Sequence, residues 1–165
     1  MKKLLCILFS AALVLPVMAV SKDVAAIIPK SQFTNVELEQ QITGYARDLG
    51  TSIKNNWFPR DYNGKYRTLV RVSSSEAYQF NTMVSEGSGD SSFDQSALVA
   101  VQRSLPANSR ISNMTVEYLF QYKNIKRNWF SNIPIFGNLW RIPAKIGAGY
   151  VANKLGLNEV VVISI

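Results

Sequence analysis

Histidine is absent from all 165 residues, and the only cysteine, Cys6, sits inside an apolar run at the N-terminus. Without histidine, Ser-His-Asp and Cys-His catalysis both lose their base. With no cysteine downstream either, the usual transition-metal ligands are missing from the rest of the chain. Removal of the N-terminal run would leave no cysteine and therefore no disulfide, so a core must hold by burial alone. Acids are scarce as well: 11 against 18 lysines and arginines, for a formal charge of +7. Asp61, Glu76, Glu86, Asp90, Asp94, Glu117 and Glu159 fall in expected turns, caps and, for Glu117, an outward strand position. Such places suit solvated carboxylates better than a paired acid and base. The reading is of a non-enzyme that needs no cofactor and no metal.

What is present begins with Met1-Lys2-Lys3, an apolar stretch from Leu4 to Val17 and then Val17-Met18-Ala19. A basic start, an apolar core and small residues before a cut make a secretory signal peptide over residues 1–19, with cleavage expected after Ala19. An uncleaved inner-membrane anchor is the alternative, since Leu4–Val20 is near the minimum length of a membrane span. Either way the remainder is exported, and a periplasmic location follows. Loss of Lys2 and Lys3 reduces the charge of +7 to about +5. Acidic envelope proteins and anionic membrane surfaces are suitable partners for such a chain. Nucleic acid is not, because of the export signal.

Residues 20–34 read as a lead-in broken at Pro29. A helix is expected to start at a capping box, Thr34-x-x-Glu37, with Phe33 and Leu38 as a hydrophobic staple. Leu38, Ile42, Tyr45, Leu49, Ile53 and Trp57 recur in steps of three and four, which places them on one face. The helix should stop near Asn56, before Phe58-Pro59. The period then becomes two. Tyr66, Thr68, Val70 and Val72 alternate with Arg67, Leu69 and Arg71, and Tyr78, Phe80, Thr82 and Val84 repeat the pattern, as in a hairpin. A second helix is expected at about 92–104, capped from Ser91 or Ser92, with Phe93, Ala97, Leu98, Val101 and Leu105 inward. Met114, Val116, Tyr118, Phe120 and Tyr122 then alternate as a third strand, and 159–165 reads as a terminal one.

The order Tyr45-Ala-x-x-Leu49-x-x-x-Ile53-x-x-x-Trp57-Phe58-Pro59, two alternating runs, then Phe93-Asp-Gln-Ser-Ala-Leu-Val through Leu105-Pro106 resembles the C-terminal domain of the TolA/TonB family. The resemblance covers about residues 35–123. It implies an α+β fold, with two helices packed on a three- to four-stranded, mainly antiparallel sheet. It also implies protein–protein recognition in the cell envelope, by an adaptor or a subunit of an envelope or transport complex. In that family a sheet edge can accept an extended peptide. The third strand is either that edge, with Val116, Tyr118, Phe120 and Tyr122 as partner-binding residues, or an interior strand already paired on both sides. The terminal strand is a candidate to cover that edge.

Residues 124–165 form a basic, aromatic extension. From Lys123 to Lys154 the chain has six cations and no acid. Lys126, Arg127, Trp129, Trp140, Arg141 and Lys145 are candidate contacts to a membrane or a partner, since tryptophan suits the headgroup region and cations meet anionic lipid. A peripheral membrane-binding or structural envelope protein acting through this extension is therefore the alternative function.

Overall fold

The computed structural model describes residues 19–125 and 159–165. Five strands and two α-helices alternate along the chain. They are β1 (Ala19–Pro29), α1 (Val36–Asn56), β2 (Gly64–Ser74), β3 (Phe80–Glu86), α2 (Ser91–Ser104), β4 (Thr115–Ile125) and β5 (Val160–Ser164). The strands form one sheet in the order β3-β2-β4-β1-β5, and every pairing is antiparallel. Both helices lie on one face, which makes the expected α+β sandwich with one strand more than the sequence suggested.

That strand is β1. Residues 20–34 are mostly not a lead-in: Ala19–Ile27 pair with β4, and Ala25–Pro29 pair with β5 on the other side. The alternation that drives this is Val24, Ala26 and Ile28 toward the helices, all buried, with Ile27 also buried on the opposite face. The run is so short of large residues that its period of two was easily passed over. Pro29 ends the strand, as a residue without a backbone donor should. Gln32 then clamps the start of β4, donating from Nε2 to the Thr115 carbonyl (2.7 Å) and accepting the Thr115 N–H at Oε1 (2.9 Å).

Both helix starts differ slightly from the capping boxes expected. Asn35, not Thr34, caps α1, its side chain accepting the Leu38 N–H at 2.8 Å. Asp90 caps α2, and its carboxylate accepts from the backbone N–H groups of Ser92 and Phe93. Asparagine and aspartate serve this role as well as serine or threonine, and a one-residue offset preserves the helical face.

The core between helices and sheet is aromatic. Trp57, fully buried at the end of α1, meets Phe120 and Phe93 edge-on at 5.0 and 5.9 Å between ring centroids. Tyr118 lies beneath α1 and donates its hydroxyl to the Ala46 carbonyl at 3.0 Å. Phe58, next to Trp57, is by contrast 77% exposed. The face away from the helices is not bare either: Ile27, Leu69 and Leu119 form a second buried cluster.

Candidate protein-binding edges

The expected recognition strand is not an edge. β4 is bonded to β2 over Gly64–Ser73 and to β1 over Ala19–Ile27. Val116, Tyr118, Phe120 and Tyr122 point into the helix-covered core, and none is more than 2% exposed. The physical reason is ordinary: the alternation that made 114–122 look like a partner-binding strand is the alternation of a core strand. The terminal strand does not cover β4, as was expected, because β1 already does. β5 pairs with the far side of β1.

Glu117 is corrected with it. It lies on the outward face but is only 1% exposed, held by Arg71 Nε at 2.6 Å and the Ser85 hydroxyl at 2.6 Å. Its position on the central strand, flanked by two others, removes it from water. Lys126, Arg127, Trp129, Trp140, Arg141 and Lys145 lie outside the described residues, as do residues 1–18 of the expected signal peptide. Among the described residues no helix is long and apolar enough to cross a membrane.

Among the described residues, two outer edges remain. The β5 edge is short and firmly held. The Lys30 N–H donates to the Glu159 carbonyl (3.0 Å), and the Ile165 N–H donates to the Val24 carbonyl (3.1 Å). Lys54 reaches from α1 to the Ile165 carbonyl, and the Ile165 side chain enters the space that a Cβ on Gly50 would occupy. Because β5 pairs only from Ala25 onward, the sheet is stepped beside Ala19–Val24. Asp23, Ala25, Leu119, Gln121 and Ser164 line a shallow pocket of about 170 Å³ at that step.

The β3 edge is longer and plainer. From Phe80 to Ser85 it carries no charge and no proline, two of the devices that commonly protect an edge. Met83 is 47% exposed on its outward face. Phe80 and Val84, on the helix side, are partly buried and pack against the core, as does Leu98 of α2, while Thr82 lies between them on the same face. The register shift between Leu69 and Val70 leaves Ser85 of β3 without a partner between Val84 and Glu86, a bulge in β3 at which the flat part of the strand ends. Sequence reasoning placed β3 in a hairpin but not at the edge. The usable signal was its run of six uncharged residues, Phe80–Ser85, ended by Glu86.

A protein-family model described as TonB C terminal matches residues 42–120. No curated protein and no solved structure matches the chain. The matched residues span most of α1, all of β2, β3 and α2, and the first half of β4; β1 and β5 lie outside them. Taken alone, that unit is a sheet in the order β3-β2-β4, with β4 as an edge that this chain closes with β1. The helix–hairpin–helix–strand unit of this protein thus matches the TonB C-terminal family model, and two further strands widen its sheet on one side.

Proposed function

We propose that this protein is a periplasmic recognition module of the cell envelope, an adaptor or complex subunit that binds an extended segment of another protein along β3. The observation that carries the reading is the uncharged edge Phe80–Ser85, paired on one side only among the described residues, on a chain that matches the TonB C-terminal family model. Backbone groups along such an edge supply the affinity, and alternate side chains supply the specificity. Outward Met83 on one face, and Phe80 and Val84 on the other, offer apolar side chains to an added strand.

The basic, then apolar, N-terminal sequence, read as an export signal, supports the location. Eleven of the residues after position 18 are used as β1, so they do not serve as a spacer. A reach across the periplasm is therefore not part of the proposal, and a local adaptor fits better than a force-transmitting arm. The work is binding, and no reaction is proposed.

The test is capture of cross-linked envelope proteins by the wild-type chain and by Met83→Lys. A charge at the middle of an edge opposes strand addition without entering the core. The variant should remain folded and lose the specific partners. Equal recovery of the same proteins by both chains would refute recognition at β3.

A further inference from the structure

Of the chain's four methionines, Met1 and Met18 fall within the expected signal peptide, and the other two are placed oppositely. Met114, just before β4, is fully buried, whereas Met83, in the middle of β3, is 47% exposed. We infer that Met83 is a site of reversible oxidation by peroxides, and that its sulfoxide weakens partner capture on β3. The chemistry rests on the exposure of one sulfur and the burial of the other. The effect on capture rests on the reading of β3 as the recognition strand.

The sulfur lone pair of Met83 attacks one oxygen of the peroxide. The S–O bond forms as the O–O bond breaks, and the proton on the attacked oxygen passes to the departing hydroxide, which leaves as water. Sulfur loses two electrons and the peroxide gains them. The product is a chiral, polar side chain in place of a flexible apolar one, a change that disrupts contacts made through methionine. Repair runs the other way: a dithiol is oxidised to a disulfide, and the sulfoxide oxygen leaves as water. That dithiol must come from outside, since the chain has no thiol beyond Cys6. The buried sulfur of Met114 meets a peroxide only when the protein opens.

The register gives the sulfoxide a neighbour. Met83 pairs with Arg71 on β2, and Arg71 pairs with Glu117 on β4, so the three form one row across the outward face. Side chains directly opposed on antiparallel strands lie close enough to interact. Arg71 donates to the buried Glu117 carboxylate from Nε at 2.6 Å, and its side chain is 39% exposed. A guanidinium has five N–H donors, so this bond uses one of them. The thioether of Met83 is only a weak acceptor for the rest, whereas a sulfoxide oxygen is a strong one. Oxidation therefore draws side chain 83 over β2 toward Arg71 and away from a segment lying along β3.

Hydrogen peroxide treatment of the purified chain, followed by peptide mass spectrometry, tests the site. In the folded chain Met83 should gain one oxygen about tenfold faster than Met114, and in concentrated urea the two should react alike. Capture of cross-linked envelope proteins is then compared for the chain before oxidation, after it, and after repair by methionine sulfoxide reductases acting on both epimers with a dithiol. Oxidation should lower recovery of the specific partners about tenfold, and repair should restore it. Equal oxidation of Met83 and Met114 in the folded chain would overturn the inference, as would a loss of capture that repair does not reverse. Capture that Met83→Lys abolishes but oxidation leaves unmoved would overturn it too, while recognition at β3 stands. Capture unmoved by either change would overturn recognition at β3 itself, and the effect of oxidation with it.

Discussion

Gly44 and Gly50 both lie in the middle of α1, where each weakens the helix by about 1 kcal/mol relative to alanine. The structure separates them. A Cβ built on Gly44 meets nothing within 4 Å, whereas one on Gly50 falls 1.8 Å from Ile165 Cδ1, 3.1 Å from Ile165 Cγ1 and 3.2 Å from Tyr118 Cε1. Tyr118 is fully buried and tied to the Ala46 carbonyl, so it has little freedom to yield. Ile165 must move instead. Gly44→Ala should therefore stabilise the protein by about 1 kcal/mol. In Gly50→Ala the same helical gain is offset by the loss of a partly buried isoleucine contact of about 1–2 kcal/mol. The Ile165 N–H bond to Val24 and the Lys54 contact to the Ile165 carbonyl are put at risk with it. Urea unfolding should place the two variants about 1–2 kcal/mol apart, with Gly50→Ala near or below wild type. Hydrogen exchange should report faster exchange in β5 for Gly50→Ala only. Equal stabilisation by the two substitutions, with β5 protection unchanged, would refute the seat proposed for Ile165.

Other predictions rest on polar groups. Glu117 has only 2% of its side chain exposed while its partner Arg71 has 39%. Arg71→Ala leaves a buried carboxylate with Ser85 alone and should cost about 3 kcal/mol in urea unfolding. Glu117→Leu frees Arg71 to face water and should cost under about 1 kcal/mol. A larger loss from Glu117→Leu than from Arg71→Ala would contradict this order. Burial raises the phenols of Tyr118 and Tyr45 above 10.0, and in Tyr118 the neighbouring Tyr45 adds to the effect. Their neutral forms favour the folded state fully below pH 10.0, and that advantage is lost as pH rises further. Tyrosinate absorbance should thus develop together with unfolding at alkaline pH; complete titration of all tyrosines in a folded chain would contradict it. The Ser92 hydroxyl and the Phe93 N–H hold the Asp90 carboxyl below 3.8, so its contribution is present above that pH and lost as pH falls through the folded value. Asp90→Asn should keep the α2 cap while removing its acid dependence, measured by exchange protection in the first turn.

The elements with a strong period were legible from the sequence. α1, the β2–β3 hairpin, α2 and the alternation of β4 all follow from where large apolar residues recur. β1 was missed because Ala19, Ala25 and Ala26 dilute its alternation, and because a strand without a neighbour in sequence gives no hairpin signal. Its absence from the reading also misplaced the recognition edge. A buried central strand and a partner-binding edge strand share the same apolar alternation, and only the identity of the neighbouring strand separates them. The contact between β1 and β4 joins residues about a hundred positions apart, such as Ala25 and Leu119, so no local pattern reveals it. The burial of Glu117 has the same origin, since its position in the strand suggested solvent while its strand was central.

The central claim is that partner recognition occurs on β3, and site-specific photo-crosslinking in the intact envelope tests it most directly. A photoreactive residue would be placed in turn at Asn81 and Met83 on β3, and at the exposed Val36 at the start of α1 as a control. The account predicts adducts to the same envelope protein from both β3 positions and none from position 36. Adducts that arise at position 36 while both β3 positions stay silent would contradict it.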